Sequence, residues 1–329
     1  MKLLTFEYGG KVRLGAAAAD GSIVDLHEAA TAAGVASAPA SLRELIAAGQ
    51  PGLAAARKAA DFADAHRDRV RRFTADEITF HPPVYPAGKT CCVALNNSAN
   101  DDRMISAPSH PAFFLKPQSC MVGHNEPIVL RESYGLTHPE PELAIVLGRR
   151  VRDLAAADAW DAVFGYTILD DITSAAMRAD DHFHFYGSRR SPDGTIARVE
   201  THTTYPGRYK GSDTFGPIGP WIVTRDEIPD PHALTVTCKV DGRVVVTDST
   251  ANYRFKLPAV LEYLTAFQTL DAGDVVSLGT ALGKRDASGF TLEQADLQRA
   301  EGPVVVEMSS IGALSNPIRH ERAGKGSAA

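Results

Sequence analysis

Two short acidic segments hold the residues of this chain that are best suited to chemistry. Glu140 and Glu142 flank a single proline, and the prolines around them disfavour a helix. In an extended chain, residues two apart face the same way, so the two glutamates share a face. Asp170 and Asp171 follow the apolar segment 163–169, where either could supply a third oxygen ligand.

Three close carboxylates repel one another at neutral pH, so they need protons or a cation. Ligation by oxygen alone favours Mg²⁺, Mn²⁺ or Ca²⁺ over zinc. A plain structural interpretation also exists, in which Glu140 and Glu142 lie on a solvated strand edge and Asp170-Asp171 forms a turn. The spacing alone leaves both interpretations open.

A lysine and a threonine further along the chain could assist such a site. Lys210 precedes the Gly/Pro corner 216–220, and its ammonium group could neutralise charge on a substrate carboxylate or enolate. Thr280 follows Gly279 at the end of an apolar strand, where its hydroxyl could bind an oxyanion. The alternatives are a surface lysine and an ordinary Gly-Thr turn.

Composition limits the classes of function. The chain has 329 residues, 44% of them hydrophobic, which is enough for a large core. A net charge of -6 gives no electrostatic basis for binding nucleic acid. No apolar run has membrane-spanning length and no signal-peptide pattern opens the chain, so we expect a cytoplasmic protein with a small-molecule partner and no membrane.

The elements that must position these residues divide into two units. Residues 1–80 predict a small N-terminal α+β domain, with three strands followed by helices at about 41–48 and 52–73. A proline-rich linker, 80–86, leads into a body at 86–320 that has β-branched runs, Gly/Pro turns and few helices. This pattern predicts a β-rich α+β fold rather than a doubly wound sheet, and residues 321–329 predict a flexible tail.

Six segments of the body resemble the fumarylacetoacetate hydrolase family, in the family's order, and the similarity covers about Thr90 to Ile318. The resemblance is to the bacterial branch with acylpyruvate hydrolases and 2-hydroxyhepta-diene-dioate isomerases. The segments are Phe113–Pro117, His138–Gly148, Gly165–Asp171, Lys210–Trp221, Leu270–Val275 with Gly279-Thr280, and Ile311–Ile318.

The resemblance implies a mixed β-roll catalytic domain, usually a homodimer, with Mg²⁺ or Mn²⁺ held by Glu140, Glu142 and Asp171. It also implies that Lys210 and Thr280, with Gly279 beside it, meet the carboxylate or enol oxygens of the substrate. The reactions that it implies belong largely to the catabolism of aromatic compounds.

The family's usual catalytic dyad is missing. Members that hydrolyse carbon–carbon bonds carry a lid, Asn-Tyr-x-x-His-x-x-Glu, but here Asn100 and Arg103 stand at the His and Glu positions. Asparagine cannot act as a general base at neutral pH. Asp101 or Asp102 would have to replace the dyad if this lid closes over the metal.

A longer stretch than is typical of the family, between 179 and 210, offers another base. His182 and His184 alternate with phenylalanines there, which predicts an edge strand or lid with both imidazoles on one side. We expect His182 to serve as the substitute base, because histidine titrates near neutral pH. The alternative is a loop whose histidines face water. We expect His138 to be an exposed strand residue rather than a donor to the acids.

These observations predict a divalent-metal-dependent enzyme that acts on a small 2-oxo or 1,3-dicarbonyl acid. The resemblance favours hydrolysis of a carbon–carbon bond in an acylpyruvate-type substrate, through an enolate that the metal stabilises. The altered lid leaves other outcomes open: a hydratase or dehydratase, a decarboxylase, an isomerase, or a catalytically silent metal-binding homologue.

Overall fold

The structure is a computed structural model that describes residues 1–35, 39–283 and 292–321, without the side chains of Asn100, Asp102, Arg103 and Glu293. Strands dominate this part of the chain and helices are few, so the predicted β-rich α+β class is confirmed. None of the described helices is long and apolar enough to cross a bilayer. The predicted tail lies outside the described residues, except for Glu321.

The N-terminal elements are β1 (Lys2–Tyr8), β2 (Lys11–Ala17), β3 (Ile23–Asp25), α1 (Leu26–Ala32), α2 (Leu42–Ala47), α3 (Gly49–Ala65), β4 (Arg72–Phe73) and β5 (Thr79–Phe80). The body contains β6 (Thr90–Ala94), β7 (Ala112–Lys116), β8 (Met121–Val122), β9 (Ile128–Arg131), β10 (Thr137–His138), β11 (Pro141–Leu147), α4 (Ala159–Ala162), β12 (Val163–Asp170), β13 (Thr173–Ser174), α5 (Ala175–Asp180), β14 (His182–Arg190), β15 (Ile196–Thr204), α6 (Arg208–Gly211), β16 (Gly216–Thr224), β17 (Thr235–Val240), β18 (Arg243–Ser249), α7 (Leu257–Phe267), β19 (Val275–Thr280), β20 (Val304–Met308), β21 (Gly312–Asn316) and β22 (Ile318–Glu321).

Helix α3 is shorter than the sequence predicted. It begins at Gly49 and ends at Ala65, whereas the alanine-rich pattern indicated a helix from 52 to 73. Arg72 turns back and donates to the carbonyl oxygen of Ala63 at 2.8 Å, which satisfies a group that the helix end leaves unpaired. Phe73 joins the sheet as part of β4 and packs against Phe6, so the last residues of the predicted helix form a strand.

One large sheet joins the two parts of the chain. Its strand order is β4-β3-β2-β1-β16-β12-β11-β19-β6-β7, with β5 on β1 and β8 on β16. Strand β1 pairs with β16, with Leu3 opposite Ile222, so the N-terminal strands continue the sheet of the body. Residues 80–86, which the sequence analysis predicted to be a linker between two domains, connect two parts of the chain whose strands belong to the same sheet.

Strand β11 is buried on both faces because this sheet separates two hydrophobic cores. Leu143, Ile145 and Leu147 face the larger core, which also includes residues of β17, β20 and α7. Ala144 and Val146 face the second core, under the helices α1 to α3. The continuous apolar run after Glu142 is therefore required by burial on two sides.

The order of the central strands brings distant residues to one edge. Strand β11 lies between β12 and β19, and Glu142 is opposite Thr280. The amide of Asp171 donates to the carbonyl oxygen of Glu140 at 2.9 Å, and the amide of Glu140 donates to the Asp170 carboxyl at 2.8 Å. These backbone contacts fix the start of β11 against the end of β12.

We expect Gly165→Ala to destabilise the central sheet, because the new Cβ would lie 2.3 Å from the carbonyl oxygen of Val223. The clash involves backbone, so the free energy of unfolding should fall by about 1–3 kcal/mol. Urea denaturation measures it. Gly148→Ala is the control, since its nearest atom would be 3.4 Å away, and equal effects of both substitutions would contradict the packing of β12.

Candidate active site

Carboxylates from two strand ends converge beside Thr280. The hydroxyl of Thr280 lies 2.9 Å from Oε2 of Glu140 and 3.1 Å from Oε1 of Glu142. Glu142 and Asp171 are buried, and one oxygen of each lies within 4.8 Å of the other and of the Cys92 Sγ. The structure therefore brings together the acids that the sequence analysis assigned to a metal, together with Thr280.

Two lysines contact these acids. The Nζ of Lys210 lies 2.7 Å from Glu140 Oε2 and 2.6 Å from Asp171 Oδ2. The Nζ of Lys116 lies 2.5 Å from Asp171 Oδ1 and also donates to the carbonyl oxygen of Lys210. Lys210 is thus a buried partner of the acids and not a surface lysine. The sequence analysis missed the role of Lys116, although the lysine lies in a segment that carries the family resemblance.

Burial and the neighbouring charges shift the pKa values of these groups in different directions. Burial opposes the charge of Glu140, but the Lys210 ammonium outweighs it and lowers the pKa of Glu140. Burial raises the pKa of Glu142 well above its ordinary value, and the charges of Asp171 and Glu140 add to this effect. Burial likewise raises the pKa of Asp170 to about 7. The pKa of Lys210 is raised, because its acidic neighbours outweigh the cost of burial.

The donor set fits a hard divalent cation. Glu142 takes hydrogen bonds from the hydroxyls of Ser277 and Thr280, and the charge of Lys210 lowers its pKa by less than burial and the neighbouring acids raise it. A divalent cation beside Glu142 would supply the missing compensation. Burial holds the pKa of Cys92 well above its ordinary value, so this thiol stays neutral and is a poor ligand. Oxygen ligands remain, which suit Mg²⁺, Mn²⁺ or Ca²⁺.

His138 is buried, so the expectation of an exposed strand residue was wrong. Its Nε2 lies 3.2 Å from Oε1 of Glu140, and its side chain is 4% exposed. Strand β10 pairs with β13, where Thr173 is opposite His138. Within the described part of the chain, its Nδ1 has no hydrogen-bond partner.

Of the two aspartates predicted to replace the missing dyad, the structure describes the side chain of Asp101 alone. Asp101 is exposed and pairs with Arg254 at 3.3 Å, while the side chain of Asp102 is outside the described residues. Their short 3₁₀ helix, Ser98–Arg103, begins after Asn97, whose amide donates to the Thr280 carbonyl oxygen at 3.1 Å.

His182 is exposed at the start of β14 and lines a pocket of about 540 Å³ together with His138. The remaining lining residues are Ala175, Arg178 and Ala179 of α5 and Thr204 of β15. His138 also contacts Glu140, so it is a common neighbour of this pocket and of the acid cluster.

Gly279 has a packing reason to be glycine. Its φ is +100°, and an added Cβ would lie 2.9 Å from the Cβ of Asn96 and 3.0 Å from the Val93 carbonyl oxygen. Contact between Gly279 and a substrate stays a prediction, whereas the close approach of β6 explains the residue by itself.

Comparison with known proteins gives the family. Residues 89–319 match the family described as fumarylacetoacetate (FAA) hydrolase, C-terminal. The chain belongs to the fumarylacetoacetate hydrolase family. The resemblance seen in the sequence is thereby confirmed. Named activities among the relatives include hydrolases, isomerases and tautomerases, so this chain is a member of an enzyme family.

Three relatives illustrate the range of similarity. An uncharacterized protein of Pyrococcus abyssi is 35% identical over 63% of this chain and 84% of its own length. The oxaloacetate tautomerase YisK of Bacillus subtilis is 29% identical over 97% of this chain and all of its own. The solved structure of a fumarylacetoacetate hydrolase from Exiguobacterium antarcticum is 26% identical, and the match covers 98% of this chain and 100% of that one with a TM-score of 0.72.

We expect Lys116→Met to destabilise the protein strongly, because it leaves an oxygen of the buried Asp171 carboxylate without its partner. Loss of one member of a buried ion pair costs about 3–5 kcal/mol, and the free energy of unfolding in urea measures it. Lys239→Met is the control, since Lys239 and its partner Glu307 are 32% and 44% exposed and such pairs contribute at most about 1 kcal/mol. Equal losses in both variants would contradict the role given to Lys116.

Proposed function

We propose that this enzyme binds a small 2-oxo acid at a divalent cation held by Glu140, Glu142 and Asp171, and moves a proton between the keto and enol forms of that acid. One observation carries the proposal: an ammonium group and a hydroxyl group both contact the same acid cluster. Lys210 contacts Glu140 and Asp171, while Thr280 contacts Glu140 and Glu142.

Each residue of this group has a separate task in the proposal. When bound, Mg²⁺ or Mn²⁺ supplies the Lewis acidity that lowers the energy of an enolate. Lys210 holds the carboxylate of the substrate and balances negative charge as it develops, because its raised pKa keeps the amine protonated. Thr280 donates its hydroxyl hydrogen to a substrate oxygen. Lys116 holds Asp171 in place from the buried side.

Proton transfer also needs a group that can accept and return a proton at the carbon next to the keto group. We assign this task to His182, which faces the pocket that His138 shares. Its exposed imidazole can exchange protons with water between turnovers. His138 keeps Glu140 in position through the contact of 3.2 Å.

The proposal ranks tautomerisation ahead of hydrolysis, which the sequence analysis had favoured. Hydrolysis needs a base that activates water, and the lid positions that would carry the His-Glu dyad are Asn100 and Arg103. Asp101, a candidate substitute, is paired with Arg254. The similarity to a full-length oxaloacetate tautomerase, which extends through the N-terminal part, supports the same ranking.

Carbon–carbon bond hydrolysis is the second candidate. The helix Ser98–Arg103 begins beside Thr280, so Asp101 and Asp102 lie on a segment anchored at the site. The likeness to the hydrolase of Exiguobacterium antarcticum supports this alternative. A homodimer, which the family resemblance implies, belongs to both candidates.

We expect the Mg²⁺-loaded enzyme to accelerate the keto–enol conversion of oxaloacetate, followed by the ultraviolet absorbance of the enol. Lys210→Met should lower kcat/KM by about 10²–10³-fold, because a preorganised charge is lost. Lys58→Met, on the exposed side of α3, is the control and should retain full activity. A chelator should abolish activity, and Mg²⁺ should restore it.

Two results would contradict this scheme. Full activity in chelated enzyme would argue against a cation at the acids. Release of pyruvate from an acylpyruvate, at a rate above that of the oxaloacetate conversion, would place hydrolysis first and tautomerisation second.

We expect His182→Ala to lower kcat by about 10²–10⁴-fold, which is the usual contribution of a general base. Phe183→Ala, on the opposite face of the same strand, is the matched control. An unchanged rate and pH profile in His182→Ala would remove His182 from the mechanism and leave the acid cluster unaffected.

A further inference from the structure

Strands β14 and β15 form a two-stranded ribbon with both faces largely exposed. Nine residue pairs join the strands, from His182 opposite Thr204 to Arg190 opposite Ile196. The turn is closed by a hydrogen bond of 2.8 Å from the Ser191 amide to the carbonyl oxygen of Thr195. An isolated two-stranded ribbon is marginally stable in water, so cross-strand contacts between side chains must contribute.

Histidines and a glutamate occupy one face of this ribbon. Strand alternation puts His182 and His184 on the same face, and His202 is directly opposite His184. Glu200 precedes His202 by two residues and therefore shares that face. The Nε2 of His184 lies 2.6 Å from Oε1 of Glu200, and the Nε2 of His202 lies 3.8 Å from the same oxygen.

We propose that this face is a second metal site, in which His184, His202 and Glu200 bind a transition-metal ion such as Zn²⁺. One ligand atom from each residue lies within 4.8 Å of the other two. Zn²⁺ bonds of about 2.0–2.1 Å in a tetrahedral site separate neighbouring ligand atoms by about 3.4 Å. The measured separations of 2.6 and 3.8 Å lie on either side of that value.

The side chains can reach this arrangement by rotation alone. The rings of His184 and His202 are stacked with centroids 4.0 Å apart, and they must open for both nitrogens to face one ion. Both side chains are more than half exposed, so the rings can open toward solvent at the cost of their mutual stacking. Two histidines and one carboxylate leave a further coordination position open, as in zinc enzymes with this ligand set.

His182 completes the site as a partner of a ligand rather than as a ligand. Its Nε2 lies 3.2 Å from Nδ1 of His202. A histidine that binds metal through one nitrogen usually donates its other ring N–H to a neighbour, which fixes its orientation. His202 would bind through Nε2 and donate from Nδ1 to His182.

The ligand chemistry separates this site from the buried acids. Imidazole nitrogens suit zinc and the other late transition metals, whereas oxygen ligands alone suit Mg²⁺ and Mn²⁺. The site therefore stands independently of the function proposed above. A bound ion would join the two strands directly and hold in place the ribbon end where His182 lines the pocket.

Calorimetric titration of the full-length, Mg²⁺-saturated protein with Zn²⁺ tests the proposal, with Co²⁺ absorption spectra as a second readout. We expect one equivalent of Zn²⁺ at the ribbon. The combined substitutions His184→Ala and His202→Ala should abolish it, and His182→Ala should weaken it about 10-fold. His66→Ala, an exposed histidine on another segment, and Glu142→Ala should both retain it.

Three outcomes would overturn the site. They are no binding of Zn²⁺ by the wild-type protein, equal binding by the His184→Ala and His202→Ala protein, and loss of the equivalent in Glu142→Ala. The last two would assign the ion to surface histidines elsewhere or to the acid cluster. Because the ribbon residues are exposed, the substituted proteins should unfold at the wild-type urea concentration when metal-free.

Discussion

The carboxylate of Asp171 is shared between two lysines in the buried interior, and the geometry of the active site depends on this interaction. Lys116 comes from the end of β7 at one edge of the large sheet, and Lys210 comes from the short helix α6. Neither element is adjacent to β12 in sequence. A buried carboxylate must have partners, so these contacts tie three remote parts of the chain to one point.

The two lysines also reduce the negative charge that a bound cation must balance. If the acids stood alone, only a metal ion or protons could relieve their repulsion. Lys116 and Lys210 contact Glu140 and Asp171 directly, whereas Glu142 is hydrogen-bonded by Ser277 and Thr280 and is only partly compensated by the charge of Lys210. The cluster can thus fold before metal binds. The charge that a divalent ion must balance then centres on Glu142 and on the substrate.

The sequence predicts the acids well, because their geometry follows from short-range rules. Alternation along an extended segment puts Glu140 and Glu142 on one face, and the apolar run after them identifies a buried strand. The role of Lys116 was missed and the burial of His138 was wrongly predicted, since their surroundings are set by strand order and by the pairing of β10 with β13. The end of α3 was also misplaced, because burial of Phe73 overrides a helical pattern of alanine and charge. Long-range contacts decide each of these cases.

Burial and ligand type together would make the two proposed sites select different metal ions. Glu142 and Asp171 are buried, and the exclusion of water there favours a small ion bound by oxygen and balanced by fixed lysines. The ribbon face is exposed, and its imidazoles are neutral ligands that cost little to leave solvated when no ion is bound. Zn²⁺ prefers nitrogen in such a setting, whereas Mg²⁺ gives up its own water reluctantly and gains little from imidazole. His182 contacts the ribbon site and lines the pocket beside Glu140, so an ion on the ribbon could restrain the residue proposed to move the proton.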